Sequence, residues 1–157
     1  MDKIKAVVLD IDGVLTDGNF YWGSNGEELK KFSFSDVMGV SLGRKAGLIF
    51  ALISGESNTL IDRFAEKMGI VDIYKGSRDK AAALCSFSKK YDLELSQICF
   101  MGDDVNDLKA LALAGLSAAP ANAHDSVKQK VMLITKSSGG QGAVRELVDL
   151  ILTNKGE

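Results

Sequence analysis

Six short apolar runs, at residues 4–9, 48–53, 71–74, 98–101, 116–118 and 131–134, alternate with segments whose apolar residues recur at helical spacing. Leu60, Ile61, Phe64, Ala65 and Met68 form one helical set, and Ala81, Leu84, Cys85 and Ser88 a second. Leu108, Leu111, Ala112 and Gly115 form a third, and Val144, Leu147, Val148 and Ile151, within residues 142–152, a fourth. Strand and helix periods exchanged over short connections predict an α/β fold: a Rossmann-like parallel sheet flanked by helices. The 157 residues are about one domain's worth of chain, so residues 1–157 are expected to form a single unit.

Several function classes drop out. The net charge of −2 offers no basic footprint for nucleic acid. No apolar run approaches the ~20 residues of a membrane helix. The start "MDKIKAVVLD" does not follow the plan of a signal peptide, because its apolar part is short and ends in acid. Cys85 and Cys99 fit neither a disulfide framework nor a metal-ligand spacing, which points to reduced thiols in a cytoplasmic protein. The single histidine, His124, argues against chemistry that needs a His pair, and its setting "ANAHDS" reads as a loop or helix entry.

One segment breaks the alternation. "NFYWGSNGEELKKF", residues 19–32, places Ser-Asn-Gly between two strand-capable arms and reads as a β-hairpin flap directly after the first strand. Tyr21 and Trp22 on it are expected to be packing residues rather than ligand platforms.

Ligands of an open α/β sheet sit outside the carboxyl ends of its strands. Four candidate strand ends carry polar groups suited to one reaction: Asp10 with Asp12, Ser54 with Gly55, Lys80 early in the following helix, and "GDDVND" at residues 102–107. Adjacent buried carboxylates are tolerated when a cation lies between them. Asp10, Asp12 and Asp103 would offer oxygen ligands to a hard ion, which suits Mg²⁺. Asp10 can also present an oxygen as a nucleophile. Lys80 and the Ser54 hydroxyl can hold phosphoryl oxygens. Asp12 can protonate a leaving alcohol and then activate water.

"DIDGVLTDG", "LISG", "DK" and "GDDVND" resemble motifs one to four of the haloacid dehalogenase-like (HAD) phosphatases, and the resemblance spans essentially the whole chain. It implies Asp10 as the phosphorylated nucleophile, Asp12 as the acid/base, and Ser54 and Lys80 as phosphate holders. It implies Mg²⁺ on Asp103 and the backbone carbonyl of Asp12. Asp107 would orient Lys80 or a metal-bound water, and Asp104 would stand behind the site or cap a helix.

A narrower resemblance rests on "DGVLTDG", the hairpin, "KKFSFSDVMGV" and "GGQGAVRELVDLIL". These are similar to the capless HAD phosphatases of 2-keto-3-deoxy sugar-acid phosphates, which include octulosonate 8-phosphate and nonulosonate (sialic-acid-type) 9-phosphate phosphatases. Only a hairpin fits between residues 18 and 35, and only a helix and a strand between 54 and 80, so no cap domain is expected. The resemblance implies a homotetramer in which each hairpin and C-terminal segment covers a neighbouring site.

Gly-Glu after Ser54 resembles the nonulosonate branch, where the octulosonate enzymes typically have Gly-Arg. Glu56 and Lys67 match residues that the nonulosonate branch places near substrate, while Phe64 departs from a basic residue seen nearby in it. The short tail "TNKGE" points the same way. The expected substrate is therefore a nonulosonate 9-phosphate, as in sialic acid biosynthesis, with octulosonate 8-phosphate, as in lipopolysaccharide biosynthesis, as the alternative. Thr16 and Gly55 are expected beside the substrate. Arg145 suits a substrate carboxylate or a structural ion pair equally, and the glycines before it suit a flexible loop. A non-catalytic oligomerisation module is the rival class, but such a module should lack Asp10, Asp12, Lys80 or Asp103, and all four are present. A phosphoryl-transferring mutase would carry a cap to exclude water.

Overall fold

A computed structural model describes residues 1–155. In chain order its elements are β1 (Ala6–Leu9), β2 (Tyr21–Trp22), β3 (Glu28–Leu29), α1 (Phe34–Lys45), β4 (Ile49–Ile53), α2 (Thr59–Met68) and β5 (Asp72–Tyr74). Then follow α3 (Lys80–Lys90), β6 (Ile98–Met101), α4 (Leu108–Leu113), β7 (Leu116–Ala119), α5 (Asp125–Lys128), β8 (Leu133–Ile134) and α6 (Ala143–Lys155). Six strands form one sheet in the order β5-β4-β1-β6-β7-β8, every neighbouring pair parallel, with helices on both faces. β2 and β3 form the separate antiparallel hairpin. The expected architecture, including the hairpin after the first strand, is the one observed. Of the tail, Gly156 and Glu157 lie outside the described residues, and α6 runs on through residues 153–155.

Alternation along β1 separates two cores. Val7 and Leu9 face a core with α2 and α6, whereas Ala6 and Val8 face a core with α3 and α4. The helices expected from Ile61, Phe64, Ala65 and Met68, and from Val144, Leu147, Val148 and Ile151, bury those residues. α2 starts on Asn58, whose side chain accepts from the Leu60 amide, and stops at Gly69 in the left-handed region.

Two helical faces differ from expectation by about one residue. α3 buries Lys80, Ala83, Leu84 and Phe87 rather than Ala81, Leu84, Cys85 and Ser88. The inward face near α4 is Asp107, Ala110, Leu111 and Ala114 rather than Leu108, Leu111, Ala112 and Gly115. In both, the buried stripe begins on a charged residue that turns into the site, which a reading of hydrophobic spacing assigns to solvent.

α1 was not expected, and its inward residues explain why: Asp36, Gly39, Val40 and Gly43 supply almost no apolar period. The glycines let helices approach. A Cβ on Gly39 would lie 2.8 Å from the Arg145 Cα, and one on Gly43 2.7 Å from the Phe50 ring. α6 therefore packs closely along α1.

Candidate active site

The register of the sheet brings three strand ends level. Leu9 pairs with Leu52 on one side and Met101 on the other. The chain runs left from β1 to β4 and right from β6 to β7, so the crevice between β1 and β6 is the switch point where such sheets bind ligands. Asp10 leaves β1 there, its amide donating to the Met101 carbonyl at 3.0 Å. Ser54 leaves β4, and Gly102 and Asp103 leave β6.

Asp10, Asp12, Ser54, Gly55, Glu56, Lys80, Asp103 and Asp104 line one cavity of about 340 Å³, together with Gly18 and Asn106. Beneath it, Lys80 lies in the inward start of α3, and its ammonium donates to Asp107 Oδ1 at 2.7 Å. The same ammonium stands 3.0 Å from Asp10 Oδ1. Asp107 Oδ2 accepts from the amides of Asp103 at 2.9 Å and Asp104 at 3.2 Å. Asp107 thus fixes Lys80 with one oxygen and the loop after β6 with the other. The Asp104 side chain caps the 3-10 turn Val105–Asp107 by accepting from the Val105 amide.

Thr16 is buried at the side of the cavity, where its hydroxyl accepts from the amides of Gly13 and Gly18, each at 3.2 Å. It folds the loop rather than lining the cavity wall. Gly13 has φ +83°, and a Cβ there would fall 1.9 Å from Asp103 Oδ2, so only glycine lets the first and fourth strand-end loops meet. The Ser54 hydroxyl accepts from the Glu56 amide at 3.1 Å.

Charge is unbalanced on the cavity floor. Oxygens of Asp10, Asp103 and Asp107 lie within 4.8 Å of one another, and Lys80 pairs with Asp10 and Asp107. Burial, followed by the Asp107 charge, pushes the Asp10 carboxyl well above its usual range, against the pull of Lys80. The same two causes push Asp103 up to about 6. Lys80 goes up despite burial, because Asp10 and Asp107 face it. Three carboxylates with one ammonium leave a deficit that a cation corrects, and an all-oxygen donor set fits a hard divalent ion such as Mg²⁺. Asp107 has both oxygens engaged, so Asp10 and Asp103 are the carboxylates free to ligate.

The Asp12 carboxylate, expected to join them, is not in that cluster. Its Oδ1 accepts from Lys30 Nζ at 2.6 Å, and the family resemblance, rather than this geometry, implies its backbone carbonyl as the group to offer an ion. Lys30, like Gly18 and Asn106 in the cavity lining, is a residue that sequence reasoning missed. It sits 18 positions away, and only the fold of the hairpin brings it back.

Two expected substrate residues lie elsewhere in the chain. Lys67 lines a separate groove of about 360 Å³ with Arg63, Phe64, Lys30 and Phe34, its ammonium 5.4 Å from the centre of the Phe34 ring. Arg145 pairs with Asp149 at 2.8 Å on α6, the ion-pair alternative of the two readings. The glycine loop before it does not stand open. Gly140 donates to the Val14 carbonyl, and Asn122 bridges the Gly13 carbonyl to the Gly139 amide. His124 is the N-cap of α5, a helix entry as expected, and its amide donates to the Asp103 carbonyl at 2.8 Å.

Comparison with known proteins places this arrangement. The family described as haloacid dehalogenase-like hydrolase matches residues 23–147. The 3-deoxy-D-manno-octulosonate 8-phosphate phosphatase of Salmonella typhi is 35% identical over 156 residues, covering 99% of this chain and 83% of that protein. The enzyme of the same name from Moraxella catarrhalis, solved with magnesium, phosphate and a KDO molecule, superposes with a TM-score of 0.96 at 38% identity, over 99% of this chain and 89% of the other. The cobalt-bound Haemophilus influenzae enzyme gives 0.95 at 35% identity, over 99% and 91%.

Proposed function

This chain belongs to the haloacid dehalogenase-like hydrolases, and from that premise we propose how its residues work and on what substrate. It is a phosphomonoesterase with Mg²⁺ as cofactor, acting on the phosphate of a 2-keto-3-deoxy sugar acid. The observation that carries the assignment of roles is the Asp10–Lys80–Asp107 chain facing Asp103 and Ser54 across one cavity. Asp10 attacks phosphorus. The bond to the ester oxygen breaks, and Asp12 gives its proton to the leaving alcohol. Asp12 then takes a proton from water, whose oxygen bonds phosphorus as the bond to Asp10 breaks and phosphate leaves. Lys80 and the Ser54 hydroxyl hold phosphoryl oxygens throughout, with Lys80 fixed by Asp107. Mg²⁺, when bound by Asp10, Asp103 and the Asp12 carbonyl, supplies charge that offsets the phosphoryl group.

The eight-carbon octulosonate 8-phosphate is the first substrate of this reading, supported by the names of relatives 35–38% identical over nearly the whole chain. This reverses the order expected from the sequence. The nine-carbon nonulosonate 9-phosphate stays as the second reading because Glu56 lines the cavity beside Ser54 and Gly55. The product would feed lipopolysaccharide in the first case and sialic-acid-type glycans in the second. The whole chain is taken as one HAD-like unit in a cytoplasmic homotetramer whose hairpins and C-terminal segments cover neighbouring sites. Bare apolar side chains on the hairpin support that assembly. No helix among the described residues is long and apolar enough to cross a membrane.

The test is kcat/KM on both sugar-acid phosphates side by side, for the wild type and Glu56→Arg. The wild type should prefer the octulosonate ester. The variant should lose roughly tenfold or more on the nonulosonate ester, yet stay within a few-fold on an aryl phosphate, which has no sugar to read. A wild-type preference for the nine-carbon ester would put the second reading first.

A further inference from the structure

The Ser-Asn-Gly turn sets the hairpin register, Tyr21 opposite Leu29 and Trp22 opposite Glu28. Alternate residues of an extended strand share a side, so Glu28 and Lys30 face one way and Leu29 the other, where it is exposed. The Lys30 ammonium reaches Asp12 Oδ1 at 2.6 Å and Glu28 Oε1 at 3.4 Å, and its side chain is only 4% exposed. The Thr16 hydroxyl also lies 3.5 Å from Asp12 Oδ1, the outer limit of a hydrogen bond. The carboxylate itself is 35% exposed. Its orientation therefore depends on a cation delivered by the flap.

We infer that Lys30 is a positioning residue: it holds Oδ1 of Asp12 so that Oδ2 is the oxygen left to exchange a proton with the leaving alcohol and then with water. This rests on the reading of Asp12 as the acid/base. Lys30 does not serve as a substrate contact, because its ammonium is enclosed and faces two carboxylates. A carboxylate bound through one oxygen loses rotamers that point it away from the reacting atoms, and misplacement by about 1 Å can cost on the order of 10²-fold in rate. The hairpin is thus more than a cover. It supplies one end of an ion pair whose other end is in the reaction.

A double-mutant cycle with Mg²⁺ and 4-nitrophenyl phosphate tests this, because that leaving group keeps the Asp12→Asn background measurable. Lys30→Met should lower kcat about tenfold or more with KM within about threefold. Lys30→Arg, which keeps the charge and a donor, should stay within about threefold of wild type. In the Asp12→Asn background, Lys30→Met should cost less than about twofold, because the group it positions is gone. An equal loss in both backgrounds would make Lys30 a structural tie and overturn the inference, as would a Lys30→Met kcat within about twofold of wild type. If Asp12→Asn kept full kcat, the acid/base reading itself would fall, and the inference with it. Loss in Asp12→Asn beside a fully active Lys30→Met would sink the inference alone. Lys30→Gln takes the place of the methionine variant if the latter loses its thermal transition, with the same expectations.

Discussion

On the sheet side of the cavity, Asp10, Lys80 and Asp107 are each at most 5% exposed, and every charged oxygen of Asp107 has a donor. On the hairpin side, Phe20, Trp22 and Phe34 are 68%, 71% and 79% exposed, and Phe20 and Trp22 pack on each other, ring centres 5.2 Å apart. On the proposed reading, bond-breaking chemistry and substrate enclosure fall to separable parts, the floor on the sheet side and the roof on the hairpin side. The Lys30–Asp12 pair is the place where the two meet.

The largest effect should come from the floor. Asp10→Asn removes the attacking oxygen and should abolish turnover on aryl and sugar-acid phosphates alike, with the thermal transition retained. Residual turnover on either substrate near the wild-type level would place the chemistry elsewhere.

Removing the metal comes next. EDTA should stop turnover and Mg²⁺ restore it, and the thermal midpoint should rise with Mg²⁺ by more at pH 7.5 than at pH 5. The sign follows from Asp103. Its carboxyl is pushed up to about 6 by burial, above the ordinary value of about 3.9. Between those values the folded, metal-free protein binds more protons than the unfolded chain, so this group's contribution to stability falls as pH rises through that window. The deprotonated site at pH 7.5 is the one an ion relieves. A midpoint shift that is the same at both pH values would break this part of the account.

Perturbing the roof should do least to the chemistry. Trp22→Ser should weaken self-association by about tenfold or more, since burying a large apolar side chain is worth roughly 1.5–3 kcal/mol. It should lower kcat/KM on the sugar-acid phosphate while leaving aryl phosphate hydrolysis within about threefold. Light scattering against concentration, read beside both activities, checks it. An equal fall on both substrates would erase the distinction between floor and roof.

The same contrast governed what was legible in the sequence. Asp10, Ser54 and Asp103 follow the ends of apolar runs and Lys80 opens the helix after another, and the parallel register brings the first three ends together, so these four could be read from order and spacing. Hydrophobic spacing puts the inward faces of α3 and α4 one residue off, because the buried stripes begin on Lys80 and on Asp107 just before α4, charged groups that the site turns inward. α1 escaped because Gly39 and Gly43 replace the apolar residues that mark a buried face, so that α6 can come close. Lys30 could not be found by spacing along the chain. A hairpin register carries it to Asp12, and that register is a property of the folded flap.

The most direct test of the central claim, that Asp10 carries the phosphoryl group, is a rapid acid quench of the Mg²⁺-loaded enzyme during turnover of a ³²P-labelled substrate, followed by peptide mapping. Label should appear on the peptide that contains Asp10, be lost on brief treatment with base as expected of an acyl phosphate, and be absent from Asp10→Asn. Wild-type enzyme that turns over without acquiring label, or that carries it on a different peptide, would contradict the account.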